Sequence, residues 1–258
     1  MARVAIPKGH CRFCDAQYGR AAMVKHMTTC KKYVEKVEDG STDNIVYELL
    51  ITGGYAGRYW LVVEVLGNET LAGLDSFLRQ IWVECCWHMS EFEIGGQAYV
   101  SQMSRFSSYD DRDMNVSLAS ILAPGMTFRY RYDFGDTTEL KIEVKSERRG
   151  GIGTKVTVPG KGSFGNGVRL LARNEVTEVC EVCGKERPAW IDLDAYYSDV
   201  PAFWCRECFV KSLEEEDPDF DPDEDDLEDF IPDTFREFCN SPRMGVCGYE
   251  GSSYYGDD

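Results

Sequence analysis

With 258 residues, 43% hydrophobic and 12% aromatic, the chain is long enough for one sizeable core with small satellites. Its net charge of −17 is concentrated: twelve of the sixteen residues from Glu214 to Asp229 are acidic, and setting them aside leaves −5. That balance excludes phosphate binding over the whole surface, while leaving room for a local basic patch.

The first residues, Met1-Ala-Arg-Val-Ala-Ile-Pro-Lys-Gly9, lack the apolar stretch of about 7–15 residues that marks a secretory signal. No run of about 18 apolar residues occurs, so no transmembrane helix and no membrane partner are expected. Eleven cysteines without an export signal point to metal ligands or free thiols rather than disulfides, and to a cytoplasmic protein.

Cys11-x2-Cys14 is followed, after eleven residues, by His26-x3-Cys30. The spacing predicts a zinc finger within residues 1–36, its ligands three cysteines and one histidine. A knuckle comes from the first pair, and a helix over Ala21 to Lys31 carries His26 and Cys30 one turn apart on one face. Tyr18 and Met23 would form its core, which is too small to hold about 25 residues folded without a metal. His10 reads as a bystander. Residues 31–44 read as a polar linker.

The main domain, residues 44–175, is predicted to be α+β: an antiparallel sheet with one long helix packed on it. Val46 to Ile51 and Tyr59 to Leu66 read as strands. Leu71, Leu74, Phe77, Leu78, Ile81 and Trp82 keep a three/four spacing, which predicts a helix over about 70–82 with one apolar face. Phe92 to Ile94 and Ala98 to Val100 flank Gly95-Gly96 as a hairpin. Residues 101–116 read as loop and Ser117 to Leu122 as a short helix. Phe128-Arg-Tyr-Arg-Tyr-Asp-Phe-Gly-Asp136 and Thr137 to Val144 then alternate apolar and charged residues across a Gly-containing turn, the mark of two antiparallel strands half covered by a core.

His88-Met-Ser-Glu-Phe92-Glu-Ile94, then Leu118-x2-Ile121-Leu122-x2-Gly125-x2-Phe128-x-Tyr130-x-Tyr132-Asp-Phe-Gly-Asp136, resembles the plasmid pRiA4b ORF-3-like family, also labelled insertion-element passenger TnpR-like. The resemblance covers roughly residues 44–145, with weaker similarity onward to the C-terminus, and Tyr132-Asp-Phe-Gly-Asp136 is its most specific part. It implies an α+β domain with an antiparallel sheet and brings no established activity. Many members carry Trp and His on the second strand where this chain has Thr138 and Leu140, so chemistry needing that His is not expected here.

Residues 146–175 are Gly-rich and locally basic, with Arg148, Arg149, Lys155, Lys161 and Arg169. Lys155 to Val158 and Val168 to Ala172 read as strands extending the sheet. Gly160-Lys-Gly162-Ser-Phe-Gly165 matches a dinucleotide fingerprint by letter only, because no helix opens after it, and reads as a hairpin tip.

Cys180-x2-Cys183, twenty-one residues, Cys205-x2-Cys208 is the spacing of a four-thiolate zinc site. It defines a ribbon-like or treble-clef-like module over residues 176–213, with Gly184 permitting the knuckle and a helix following the second pair. Two zinc ions are therefore expected per chain. In the acidic linker, residues 214–229, Asp217, Asp219, Asp221, Asp223, Asp225 and Glu228 occupy calcium-loop positions, but Pro222 stands where that loop needs Gly, so the segment reads as a solvated acidic linker. Residues 230–258 are apolar and turn-rich and are expected to fold back on the main domain. Cys239 and Cys247 there read as buried thiols, since only two residues offer themselves as ligands.

Catalysis is not indicated. Cys85 and His88 have the spacing of a nucleophile pair, but no orienting third group accompanies them. His88 is expected to hydrogen-bond Asp133 or Asp136, and those carboxylates to stabilise the turn and pair with Arg129 and Arg131. The leading reading is a zinc-binding, non-catalytic accessory or adaptor protein of a mobile-element context, partnered by nucleic acid or a basic protein. Candidate basic surfaces are residues 148–173 and Arg12, Arg20, Lys25, Lys31 and Lys32. The alternative is an enzyme with a pocket around His88, Asp133 and Asp136. No small-molecule substrate is indicated.

Overall fold

The strand Ile45–Gly53 (residues IVYELLITG) shows almost no apolar/polar alternation and is buried along nearly its whole length. Its hairpin partner Tyr59–Leu66 behaves the same way. A near-continuous apolar run is what a strand needs when both of its faces are covered. These strands lie at the centre of the protein, described here from a computed structural model. It describes residues 7–37, 44–101, 110–152, 167–175, 177–196, 200–217, 219–222 and 225–252.

In chain order the elements are β1 (Lys8–Cys11), β2 (Gln17–Gly19), α1 (Arg20–Met27), α2 (Lys31–Val37), β3 (Ile45–Gly53), β4 (Tyr59–Leu66), α3 (Leu71–Leu78), β5 (Ser90–Ile94), β6 (Gln97–Val100), β7 (Arg112–Asp113), β8 (Thr127–Tyr132), β9 (Thr138–Arg149), β10 (Val168–Asn174), β11 (Trp190–Asp192), β12 (Phe203–Trp204), α4 (Arg206–Glu216) and β13 (Phe235–Glu237). One ten-stranded sheet runs β2-β1-β10-β4-β3-β9-β8-β5-β6-β7, antiparallel throughout except for the short β6–β7 pair. A separate three-stranded sheet runs β12-β11-β13. Architecture and class are thus α+β, as the strand patterns predict.

The helix over residues 70–82 is present, but its geometry changes midway. Thr70 caps α3 by accepting the Gly73 N–H at 3.1 Å, and after Leu78 the helix widens into a π turn over Arg79–Val83. Leu71, Leu74, Phe77, Leu78, Ile81 and Trp82 lie on one face against Tyr47, Leu49, Ile51, Leu61, Val63, Phe92, Tyr130, Leu140 and Ile142 of the sheet. The expected loop over 101–116 contains β7, and the expected helix over 117–122 is a single 3-10 turn at Leu118–Ser120.

The opposite face of the sheet is where the structure departs most from expectation. The finger does not stand apart: β1 pairs with β10 and so joins the main sheet. Gly9 makes this approach possible, since a Cβ there would fall 2.1 Å from the Arg173 carbonyl oxygen. Met23 and Met27 of α1 pack on Leu50, Trp60, Val62, Leu171 and Ala172, so the finger's core is shared with β3, β4 and β10. The predicted linker 31–44 begins instead with α2, whose Tyr33 enters the same layer.

That layer contains a buried ion cluster. Glu64 of β4, 1% exposed, accepts from Arg148 Nε at 2.9 Å, from Arg169 Nε at 3.1 Å and from the Tyr33 hydroxyl. The basic character of residues 148–173 is therefore partly internal. Arg148 and Arg169 neutralise a buried carboxylate, and Arg173 donates to the Asn240 carbonyl at 2.6 Å. The predicted strand Lys155–Val158 and the hairpin tip at Gly160–Gly165 lie outside the described residues.

Against the smaller sheet, Trp190 of β11, Phe209 of α4, Phe220 and Leu227 form a separate core, with Phe230 and Phe235 against it. Two of these residues, Phe220 and Leu227, come from the acidic segment, and a 3-10 turn spans Leu227–Phe230. The segment is thus anchored by its apolar residues rather than wholly solvated. Asp223 of the calcium-loop frame lies outside the described residues, and no metal-binding group forms among the described acidic residues there.

Candidate metal centres

Three groups of four Cys/His side chains converge among the described residues, each with its ligand atoms within 4.8 Å of one another. A tetrahedral zinc ion with bonds of about 2.3 Å to sulfur places its ligands roughly 3.8 Å apart, so groupings this tight fit such an ion.

The first joins Cys11, Cys14, His26 and Cys30. Cys11 ends β1, Cys14 sits in the following turn, His26 lies on α1 and Cys30 just beyond it. Cys11 Sγ stands 3.9 Å from Cys30 Sγ, and Cys14 Sγ stands 3.3 Å from His26 Nε2. Asp15, directly after Cys14, takes a left-handed conformation (φ 62°) that folds the knuckle. The Tyr18 ring stacks on His26 at 4.6 Å and fixes its orientation. Burial pushes the Cys11 thiol up to about 11, against the backbone N–H groups of Phe13 and Cys14, so a bound cation is what would hold it as a thiolate. His10 stays outside this group, bonded through Nδ1 to Asp15 at 2.9 Å and paired with Glu175.

The second joins Cys180, Cys183, Cys205 and Cys208. Gly184 (φ 67°) closes the knuckle, the β11–β12 pair follows, and Cys205 caps α4, its sulfur accepting the Cys208 N–H at 3.5 Å. Cys183 Sγ and Cys205 Sγ are 3.9 Å apart. The N–H groups of Glu186 and Lys185 lower the Cys183 thiol to about 7. All eight ligands predicted from spacing thus fall into two closed tetrads.

The third group is one that spacing does not announce. Cys85, Cys86 and His88, following the π turn, meet Cys247 from the C-terminal segment. Cys86 Sγ lies 3.7 Å from Cys85 Sγ, 3.6 Å from Cys247 Sγ and 2.9 Å from His88 Nε2; His88 Nε2 lies 3.2 Å from Cys247 Sγ. Cys247 is exposed, contrary to the expected buried thiol, whereas Cys239 is buried as expected. Setting aside the seven cysteines of the flanking tetrads leaves four of the eleven, a signal that more ligands are available. No spacing rule joins Cys86 to a residue so distant in the chain.

The strand pair β8–β9 organises this third group. Tyr132 at the end of β8 donates to Glu84 at 2.9 Å and accepts the N–H groups of Cys85 at 3.4 Å and His88 at 3.3 Å, holding the loop over residues 84–88. Arg243, fully buried, donates to Asp133 Oδ2 at 2.7 Å, to the Asp136 carbonyl at 3.0 Å, to the Thr138 hydroxyl at 3.0 Å and to Cys85 Sγ at 3.4 Å. Arg129 and Arg131 are not the partners of these aspartates; Arg131 pairs with Glu91 and Glu93 across the sheet. His88 does approach Asp133, at 3.3 Å, as expected. Burial alone would raise Asp133, but Arg243 and the N–H groups of Gly135 and Asp136 hold it below the usual carboxylate range. Burial would likewise raise the Cys85 thiol, and Arg243 with Tyr132 brings it below its ordinary value. Thr138 serves as an acceptor for Arg243, and Leu140 is core.

Residues 56–162 match the family model described as plasmid pRiA4b ORF-3-like protein. This region is a pRiA4b ORF-3-like domain. The matched stretch contains Cys85, Cys86, His88 and the Tyr132–Asp136 turn, while all ligands of the two flanking tetrads lie outside it. Among solved structures the chain is similar to MM3350, a protein of unknown function from Methanosarcina mazei Go1. Identity is 18% and the TM-score 0.41, with 73% of this chain and 98% of that one covered. No curated protein matches the chain. Among the described residues, no helix is long and apolar enough to cross a membrane.

Proposed function

We propose that this protein is a zinc-organised, non-catalytic accessory protein that binds another macromolecule, nucleic acid in the first instance, in the mobile-element setting of its family. The observation that carries the reading is the closed tetrad Cys11, Cys14, His26 and Cys30 among exposed cationic side chains, Arg12, Lys25, Lys31 and Lys32. In both flanking tetrads the protein supplies all four ligands, so no coordination position is left for a substrate. The acidic segment, held against the smaller core by Phe220 and Leu227, offers the complementary surface: it competes with nucleic acid for the cationic face or engages a basic protein.

The residues of the alternative enzyme are committed elsewhere. The Asp133 carboxylate is tied to Arg243, and His88 lies in the third tetrad. The test is salt-dependent binding of the zinc-loaded protein to a panel of DNA and RNA, with and without residues 214–229. Binding should weaken with salt, strengthen when the acidic segment is removed, and fall when Lys25, Lys31 and Lys32 are changed to Glu. No binding by either form to the panel, or to a basic protein such as a histone mixture, overturns the reading.

A further inference from the structure

The third tetrad differs from the other two in ways that bear on what it can do. Its ligands come from two segments far apart in the chain: Cys85, Cys86 and His88 follow α3, and Cys247 lies 161 residues beyond Cys86. Cys86 and Cys247 are exposed and the other two ligands partly buried, whereas the flanking tetrads contain two buried cysteines each. It nevertheless shares their backbone signature. A left-handed residue directly follows a ligand cysteine in all three: Asp15 after Cys14, Gly184 after Cys183, and here Trp87 after Cys86 and Gly248 after Cys247. A tryptophan at φ 64° is strained, and it is what turns Cys86 and His88 toward the same point.

The surroundings are also those of a metal site. Three thiolates and a neutral imidazole around a divalent ion leave a single net negative charge. The Arg243 guanidinium, 3.4 Å from Cys85 Sγ, offsets it, while Tyr132 fixes the loop that carries three of the ligands. Both belong to a hydrogen-bonded network that reaches through Asp133 into the β8–β9 turn.

We propose that Cys85, Cys86, His88 and Cys247 hold a third zinc ion, exchangeable with solvent, which clasps the C-terminal segment to the end of α3. The inference rests on the zinc-organised reading above only in taking the flanking tetrads as the slow sites for comparison. Exposed sulfurs let an incoming chelator or thiol reach the ion and displace the ligands one at a time. In the flanking tetrads the buried cysteines close that approach. The segment being clasped is already aligned by Ser241, which donates to the Trp82 carbonyl at 2.5 Å, and by Ser252, which donates to the Gln80 carbonyl at 2.6 Å. Cys247 is thus presented to the other ligands by a docked chain.

The test is zinc transfer from the full chain to the chromogenic chelator 4-(2-pyridylazo)resorcinol, read as stoichiometry and rate. One ion per chain should leave in a fast phase and the other two, one for each flanking tetrad, in a slow phase. Cys247→Ser and Cys86→Ser should each abolish the fast phase and keep both slow ions, whose retention shows that the fold has survived. If both variants unfold, cadmium-113 NMR of the unaltered protein decides: three resonances, one broadened by exchange with added cadmium, support the proposal. A wild-type protein with only the two slow ions, release of all ions in one phase, or a fast ion that survives both substitutions overturns it. These outcomes are independent of the nucleic-acid panel, which can fail while the fast ion remains.

Discussion

Glu48 and Glu64 stand directly opposite each other on β3 and β4, on the sheet face beneath the finger, 8% and 1% exposed. Glu64 is satisfied by two arginines and a tyrosine, and Glu48 faces it as a like charge. Burial, then the Glu64 charge, push the Glu48 carboxyl up to about 7, against the opposing pull of Lys145 and Arg148. A carboxyl raised in the folded state favours the fold while protonated. That advantage is complete below the ordinary carboxylate range and is lost as pH rises through about 7. Glu48→Gln should therefore gain on the wild type as pH rises, by about 2 kcal/mol between pH 5.5 and pH 8.5. Urea denaturation of both proteins at the two pH values measures it.

Removing one member of the cluster around Glu64 should be costly, and removing the charge it serves should restore part of the loss. Arg169→Met is expected to cost about 3 kcal/mol, because Glu64 would remain buried with Arg148 and Tyr33 alone. The double variant Arg169→Met with Glu64→Gln should recover at least about 1 kcal/mol of that. A double-mutant cycle by chemical denaturation gives the number, and a purely additive result would mean that the two residues do not interact.

Metal loss at the two flanking tetrads should have unequal reach. The first tetrad lies in a layer shared with Leu50, Trp60 and Val62, so Cys14→Ser should expose one face of the central strands and destabilise the main domain by more than about 4 kcal/mol. Cys208→Ser should open only the smaller core around Trp190 and Phe209. Hydrogen exchange resolved by segment separates them: protection of β3, β4 and β10 falls in the first variant and persists in the second.

Tyr132 supports the third tetrad without being a ligand. Tyr132→Phe removes the hydroxyl shared by Glu84, Cys85 and His88 while leaving the ring that packs with Arg79 and Arg243, each 4.8 Å from its centroid. Affinity for the exchangeable ion should fall on the order of tenfold, with the flanking ions unaffected. Competition against a chelator of known affinity checks this.

How far the sequence could be read follows from the range of each signal. The α3 stripe, the Gly95-Gly96 hairpin and the alternation in β8 and β9 all lie within a few residues, and the structure contains each of them. The grouping of the eight Cys/His side chains of the flanking tetrads was legible for the same reason, since Cys-x2-Cys and His-x3-Cys are spacings a single turn imposes. The near-continuous apolar runs of β3 and β4 were legible as strands, whereas the covering of their second face by the finger is a matter of tertiary packing.

What the chain by itself determined was therefore its local periodicities, its two knuckle-and-helix Cys/His motifs and the resemblance centred on Tyr132-Asp-Phe-Gly-Asp136. Only the tertiary structure decided that the finger joins the sheet through β1 and β10, that the partner of Asp133 is Arg243, and that Cys247 completes a group with Cys85, Cys86 and His88. The physical reason is common to all three. Each depends on bringing together segments more than a hundred residues apart, and no helical or strand period extends that far. Closure of such contacts is decided by packing of the whole core, which places Arg243 and Cys247 where a local pattern could not.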